Sequence, residues 1–213
     1  MLTQDTSAAS VETANVHRSR LLEGIARSVA TKGYADTTVA DIVREAGVSK
    51  RSFYECFSTK ADCLIALYEA ASHKALTMLG EAIDPTHEWQ TQIERALAAY
   101  LGCMMQSPVL MRTLFIEILG LGAQGLAARR RVNREIASFM REVINGGQDG
   151  AHPRREPPLS ADMAMAIVGG INELILEYIE QDKVAALHEL VQPASQLVRA
   201  VTHAHAESAD RVA

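Results

Sequence analysis

The segment from residue 37 to residue 57 constrains the fold of this chain more than any other. Thr38 and Asp41 have the spacing of a capping box, which starts a short helix. Gly47 follows at a place where positive φ ends a helix without steric cost. Ser49 can cap a second helix directly afterwards. The pattern therefore predicts two short helices that meet at a tight corner, as in a helix-turn-helix.

The second helix of this pair is predicted to present a polar surface. Phe53 and Phe57 have the spacing of an inward stripe. Two cations, a hydroxyl and a phenol then point outward: Lys50, Arg51, Ser52 and Tyr54. Such groups bind phosphate oxygens and base edges, and a protruding helix fits the major groove of DNA. The alternative is a surface hairpin with a solvated basic face, but the corner, the caps and the exposed set together favour DNA binding.

Composition and charge agree with a helical protein that has a basic head. Aromatic residues are only 5% of the chain and hydrophobic residues 48%, which favours helices. The net charge is −5, yet within residues 17–60 eight Lys or Arg face five acids. This distribution indicates that an otherwise acidic protein carries one local basic surface, which can bind an anionic partner. Three cysteines without a regular pattern indicate a reducing compartment, and no signal peptide or apolar run of membrane-spanning length is visible.

Residues 17 to about 70 resemble the DNA-binding domain of the TetR (tetracycline-repressor-like) transcriptional regulators. The resemblance covers about a third of the chain, and the remainder is similar only in length and helical character. It depends on the helical stretch 18–32, Gly33-Tyr34, Thr37-Thr38, Ala46-Gly47-Val48-Ser49-Lys50, Phe53-Tyr54, Phe57 and Lys60. The chain departs from the family pattern at Val43, Arg51 and Cys56.

The resemblance implies an all-α chain of about nine helices. We expect a flexible arm over residues 1–16, a three-helix DNA-binding domain over residues 17–63 and a helical domain for effector binding and dimerisation over residues 64–213. It also implies a cytoplasmic homodimer on operator DNA, with no cofactor and no membrane. Lys60 is expected to contact a phosphate, and the full set of expected DNA contacts is Thr38, Ser49, Lys50, Arg51, Ser52, Tyr54 and Lys60.

The helix that follows Ser160 has a wider apolar surface than its own core requires. From Met163 to Ile179 its apolar residues cover an arc of about 220° at 100° per residue. A surface helix needs an apolar arc of only about 100° or slightly more. The surplus predicts a second partner, and the simplest is the same helix of another subunit. With the last helix, the expected dimer interface comprises Ile167, Gly169, Gly170, Ile171, Leu174, Leu197 and Val201.

An effector pocket is predicted in the middle of the chain. Methionines and aromatic residues there accommodate varied apolar ligands, although they also fill ordinary cores. Asn172 lies within an apolar arc and needs a polar partner, which we expect to be a ligand, the second subunit or water. The expected lining is Trp89, Tyr100, Met104, Met111, Phe115 and Asn172.

Enzyme signatures are missing from the sequence, so no catalytic or metal site is predicted. There is no Gly-rich phosphate loop, HExxH, CxxC or GxSxG motif, and His203 and His205 alone are weak evidence for a metal site. The best prediction is a ligand-responsive DNA-binding regulator of transcription. Repressors are more frequent than activators in such families, so we expect a repressor that a small, largely apolar effector releases from a palindromic operator. Two alternatives are a helical small-molecule-binding protein with a vestigial DNA-binding head and a DNA-binding dimer without a ligand.

Overall fold

The computed structural model describes residues 3–84, 86–146 and 158–210, and every regular element in these ranges is helical. The prediction of an all-α chain with about nine helices is confirmed. The α-helices are α1 (Thr3–Asp36), α2 (Val39–Ala46), α3 (Lys50–Cys56), α4 (Lys60–Glu81), α5 (Trp89–Met105), α6 (Pro108–Arg112), α7 (Ala123–Ile144), α8 (Ala161–Glu180) and α9 (Val191–Asp210). A π-helical turn (Thr113–Glu117) and two 3-10 segments (Leu119–Leu121 and Val184–Leu190) connect some of them.

The chain divides into two compact units. The N-terminal unit takes its residues from Met1–Ala71 and Arg112–Ala128, and the C-terminal unit from Ser72–Met111 and Arg129–Ala213. The boundary between the units lies within α4, and residues 112–128 belong to the N-terminal unit. The sequence analysis expected a single boundary after residue 63. The functional roles of the two parts stay predictions.

In the N-terminal unit, α1 packs against both α2 and α3. The core of this unit includes several large side chains with no exposed surface, among them Leu21, Ile25, Ile42, Phe53 and Leu64. These residues lie on the apolar stripes of four helices, so burial of the stripes brings the helices together. The short helix α3 is thereby attached through one face and keeps its opposite face free.

The first helix is longer than the sequence analysis predicted. It begins at Thr3 instead of residue 17, and the regular helix ends at Gly33, as expected, because the backbone there is not helical (φ 77°, ψ 165°); a short helical stretch then follows a kink and reaches Asp36. Residues 3–16 contain no Gly or Pro, so nothing local interrupts the helix. The mobility expected for residues 1–16 stays a prediction.

In the C-terminal unit, α5 packs against α9 and against the 3-10 segment Val184–Leu190. The centre of this unit is apolar, with Leu101, Ile167, Ile175 and Leu187 fully buried. Ser160 caps α8 by accepting a hydrogen bond from the Met163 amide (3.2 Å), as expected. Most of the loop predicted over residues 147–159 lies outside the described residues.

Candidate nucleic-acid interface and ligand cavity

The corner between α2 and α3 has the geometry that the sequence predicts. The Thr38 hydroxyl accepts a hydrogen bond from the Asp41 amide (3.2 Å), and the Asp41 carboxylate accepts one from the Thr38 amide (2.9 Å). Gly47 has left-handed backbone angles (φ 61°, ψ 39°). Ser49 caps α3, because its hydroxyl accepts from the Ser52 amide (3.0 Å). Both caps and the glycine turn are therefore confirmed.

Asp41 connects this corner to α1. Besides its contacts with Thr38, its carboxylate pairs with Lys32 (2.7 Å) and with Arg44 (2.9 Å). The hydrogen bond from Lys32, those from Thr38 and that from Arg44 hold the pKa of Asp41 well below its usual range. The carboxylate is thus charged over the whole physiological pH range.

The sequence analysis missed a close approach between α1 and α2, which depends on a glycine in α1. A Cβ atom on Gly24 would lie 2.6 Å from the backbone oxygen of Ile42 and 3.0 Å from the Cβ of Ala46. Only a glycine permits this distance. The available signal was a glycine within the apolar stripe of α1, between Leu21 and Ile25.

The outer face of α3 carries the predicted polar set. Lys50, Arg51 and Tyr54 are exposed, while Ser52 is half-buried. Tyr54 is 60% exposed, and its ring lies edge-on to that of the buried Phe53, with 5.3 Å between ring centroids. The helix is therefore fixed from below by an aromatic core and presents its polar groups outward.

Lys60 has a role inside the N-terminal unit that the sequence did not predict. Its ammonium group donates to the backbone oxygens of Tyr34 (2.7 Å), Thr37 (2.7 Å) and, more distantly, Ala35 (3.5 Å). It also lies 4.0 Å from the centroid of the Tyr34 ring. Partial burial lowers the pKa of Lys60, against the influence of two nearby carboxylates. The lysine thus binds the carbonyl groups at the end of α1, and its expected phosphate contact stays a prediction.

The C-terminal unit contains an apolar cavity of about 60 Å³. Its walls come from α5, α7, the end of α4 and one residue of α9. The lining residues are Leu79, Ile83, Gln92, Ile93, Ala96, Leu97, Ile136, Phe139, Met140, Val143, Ile144 and Val198. Gln92 is the polar member of this set, and its side-chain amide donates to the backbone oxygen of His87 (2.8 Å). The remaining surface suits a hydrocarbon.

A second cavity of about 30 Å³ shares four of these residues and is also lined by Tyr100, Val168, Ile171 and Asn172. The Asn172 amide donates to Asn133 Oδ1 (3.0 Å), so the partner of this buried polar group is a side chain of the same unit and not a ligand, a second subunit or water, as the sequence analysis expected. Of the predicted pocket residues whose side chains the structure describes, Tyr100 and Asn172 line one of these two cavities.

The other predicted pocket residues lie elsewhere. Met104 and Met111 are buried but line neither cavity, and Phe115 belongs to the N-terminal unit. The side chain of Trp89 lies outside the described residues. The sequence analysis gave little weight to the stripe of α7 from Ile136 to Ile144, although its i, i+3, i+4, i+7 spacing was visible.

The predicted dimer residues divide into two groups. Ile167 and Ile171 are 0% and 6% exposed within their own unit, so they pack in its core and do not offer a surface to another subunit. Gly169 is exposed, and the other four residues are half-buried: Gly170, Leu174, Leu197 and Val201. A Cβ atom on Gly169 would meet nothing within 4 Å. The expected interface is thereby narrowed to these five positions and stays a prediction.

Two absences concern the described part of the chain. No group of three or more His, Cys, Asp or Glu side chains there is arranged to hold a metal ion. No single helix there is long and apolar enough to cross a membrane, and only the bent pair Gln90–Met105 with Leu110–Leu121 reaches such a length and composition. The side chains of His203 and His205 lie outside the described residues.

Comparison with known proteins supports the assignment of α2 and α3 as a helix-turn-helix. The family described as "Bacterial regulatory proteins, tetR family" matches residues 21–67. No curated protein sequence matches the chain.

Among solved structures, many share the fold at low sequence identity. The regulator FadR from Bacillus subtilis, solved with stearoyl-CoA, is 15% identical, with a TM-score of 0.68 over 84% of this chain and 95% of its own. FadR from Bacillus halodurans is 17% identical, with a TM-score of 0.66 over 84% and 93%. A tetR-family protein from Rhodococcus RHA1 is 19% identical, with a TM-score of 0.62 over 85% and 96%.

Residues 21–67 contain the capped α2–α3 corner, and the fold around them is that of these regulators. On these grounds residues 21–67 form a helix-turn-helix DNA-binding domain of the tetR type, and the chain shares its fold with these solved regulators.

Proposed function

We propose that this protein is a homodimeric repressor that binds a palindromic operator and leaves it when a small, largely apolar effector binds. The observation that carries the proposal is the outer face of α3. Lys50, Arg51 and Tyr54 are exposed on a short helix whose opposite face is fixed by Phe53. Two such helices, carried by a dimer, reach successive major grooves about 34 Å apart.

The nature of the effector follows from the cavity in the C-terminal unit. Eleven of its twelve lining residues are apolar. The FadR protein of Bacillus subtilis, which shares the fold, was solved with stearoyl-CoA, a ligand with a long hydrocarbon chain. An effector with a hydrocarbon part therefore fits this site best. It acts on DNA binding only through its different affinity for two conformations of the protein.

The proposal of a dimer is supported by the exposed Gly169 and the half-buried Gly170 of α8 and by the adjacent side of α9. Gly169 leaves open space above α8, and Leu197 of α9 lies 3.0 Å from where a Cβ on Gly170 would stand. A partner helix can thus approach α8 closely without a change in the core. DNA binding places the protein in the cytoplasm with the chromosome.

The test is binding of the full-length protein to a library of double-stranded genomic fragments, with and without added fatty acids and acyl-CoA esters of increasing length. A regulator selects a few fragments and releases them with one chain-length range. A protein with a vestigial DNA-binding head binds the ligands and no fragment. If the protein selects fragments and none of the ligands releases them, it is a DNA-binding dimer without an effector among the fatty acids and acyl-CoA esters.

Arg51→Ala provides the matched variant for the same library. Because Arg51 is exposed on α3, its loss should remove sequence preference and leave the ligand-binding unit intact. Unchanged fragment selection by this variant contradicts the assignment of α3 as the recognition helix.

A further inference from the structure

The outermost ridge of α3 consists of two residues of opposite charge. With the buried Phe53 at 0° and 100° per residue, Arg51 lies at about 160° and Glu55 at about 200°. Lys50 and Tyr54 lie on one flank of the helix, at about 60° and 100°. If α3 enters a major groove with Phe53 toward the protein, Arg51 and Glu55 therefore face the base edges most directly.

These two residues form an ion pair in the protein without DNA. Arg51 Nε donates to Glu55 Oε1 at 2.9 Å. The bond uses the Nε–H on one edge of the guanidinium group and leaves the two terminal nitrogens for other acceptors. Two parallel donors at that spacing match O6 and N7 of guanine, the commonest bidentate base contact of arginine.

The ion pair contributes little to the free energy of unfolding. The side chains of Arg51 and Glu55 are 89% and 57% exposed, and exposed pairs contribute little to stability. Glu55 also lies in the last turn of α3, where a negative charge opposes the helix dipole. In addition, a carboxylate on a DNA-facing ridge repels phosphates. The residue therefore has costs that a role in orienting Arg51 would offset.

We propose that Glu55 is a positioning residue for base recognition: it orients the Arg51 guanidinium group so that its terminal nitrogens bind one guanine in each operator half-site. This inference rests on the proposed function, because it names the specificity determinant of the same surface. Glu55 contributes selectivity at the expense of general affinity for DNA.

The experiment is selection of binding sites by the full-length protein from double-stranded DNA randomised over about two helical turns. The wild type should show a guanine in each half-site, preferred over other bases by about 5- to 150-fold. Arg51→Ala and Glu55→Ala should each lose this preference at the same base pair. Glu55→Ala should also bind random DNA more tightly than the wild type.

Two comparisons separate positioning from other roles of the carboxylate. In the Arg51→Ala background, Glu55→Ala should cause no further change of preference, because there is no guanidinium group left to orient. Glu23→Ala is the matched control, since Glu23 also pairs with an arginine four residues away (Arg27, 3.6 Å) but lies on α1. It should leave the base preferences unchanged.

Three outcomes overturn the inference. The first is that Glu55→Ala retains the guanine preference, and the second is that Arg51→Ala retains it. The third is that Glu55→Ala removes a preference at a different base pair, both in the wild type and in the Arg51→Ala background. The last outcome would show that Glu55 contacts a base itself. A wild type that selects no sequence at all would instead contradict the proposed function.

Discussion

At the scale of single residues, Asp41 joins three parts of the N-terminal unit through one carboxylate. It accepts from the Thr38 amide that starts α2, and it pairs with Lys32 of α1 and Arg44 of α2. Because these contacts favour the charged form, the pKa of Asp41 in the folded protein lies below its ordinary value of 3.8. Such a group stabilises the fold above its unfolded pKa, and the contribution is lost as pH falls toward the folded pKa.

We therefore predict that the thermal unfolding midpoint decreases as pH falls below 3.8, through protonation of Asp41. Asp41→Asn should have a lower midpoint than the wild type at pH 7, and the gap should narrow below pH 3.8. Thermal melts monitored by circular dichroism at a series of pH values measure this. If the difference between the two unfolding midpoints is the same at every pH, the charge of Asp41 does not contribute to the stability of the fold.

Lys60 provides a second test at this scale, because its structural and DNA-binding roles predict different results. The hydrogen bonds from its ammonium group to the Tyr34 and Thr37 carbonyls hold the end of α1 to the start of α4. Lys60→Ala should lower the free energy of unfolding by about 1.5–3 kcal/mol, the usual contribution of a charged hydrogen bond. Urea denaturation without DNA measures this effect.

Lys50→Ala is the control for this prediction, since Lys50 is equally cationic but exposed on α3. It should unfold like the wild type. The contrary result is that Lys60→Ala unfolds like the wild type and changes only the salt dependence of DNA binding. That result would mean that the hydrogen bonds to the carbonyl oxygens do not stabilise the fold, and it would favour a phosphate contact.

At the scale of helices, the crossing of α1 over α2 depends on the absence of a side chain at Gly24. A methyl group there would stand 2.6 Å from the Ile42 backbone oxygen, so the two helices would have to separate. Gly24→Ala should therefore destabilise the protein by about 1–3 kcal/mol despite the better helix propensity of alanine. Urea denaturation measures the difference.

The matched control is Gly102→Ala in α5, where a new Cβ meets nothing within 4 Å. Alanine at an unobstructed helical position stabilises by about 0.5–1 kcal/mol, so the two changes should have opposite signs. A stabilising effect of Gly24→Ala would mean that α1 and α2 are not in close contact in solution.

The elements that sequence predicts well are those fixed by neighbours in the chain. Thr38, Gly47 and Ser49 each satisfy a local rule about helix ends, and all three lie as expected. The contacts of Lys60 join residues 23 to 26 positions apart, and no local rule indicates them. Likewise the close contact at Gly24 forms only where α1 crosses α2, and the sequence offers no more than a glycine in an apolar stripe as a signal for it.

The segment around residue 115 shows the same limit for an element. Its nearly continuous apolar run predicts one buried helix over residues 109–119. The structure instead has α6, a π-helical turn (Thr113–Glu117) and a 3-10 segment. Periodicity does not distinguish these forms, because all of them suit a short apolar run. The lining of the cavity was missed for a related reason, since it combines single stripes from four helices.

At the scale of the whole molecule, the proposed function requires that two DNA-binding units be held together. The surface proposed for this purpose centres on Gly169, which is exposed on α8. A side chain at this position would extend into open space in one protomer, and in a dimer it would extend into the partner. This difference allows dimerisation to be disrupted without damage to the fold.

We predict that Gly169→Arg is a folded monomer at concentrations where the wild type is a dimer. A large charged group at the centre of a closely packed interface opposes association. The variant should therefore bind a single half-site as the wild-type protomer does and a full palindromic site much more weakly. It should still bind the effector, because none of the cavity residues is changed.

Sedimentation equilibrium measures the oligomeric state, and circular dichroism confirms the fold. Gly120→Arg is the control, since Gly120 is also exposed and a Cβ there meets nothing within 4 Å. That variant should remain dimeric, because residue 120 is outside α8 and α9. A dimeric Gly169→Arg protein would place the interface elsewhere, and a monomeric wild type would remove the basis for recognition of a palindrome by two copies of α3.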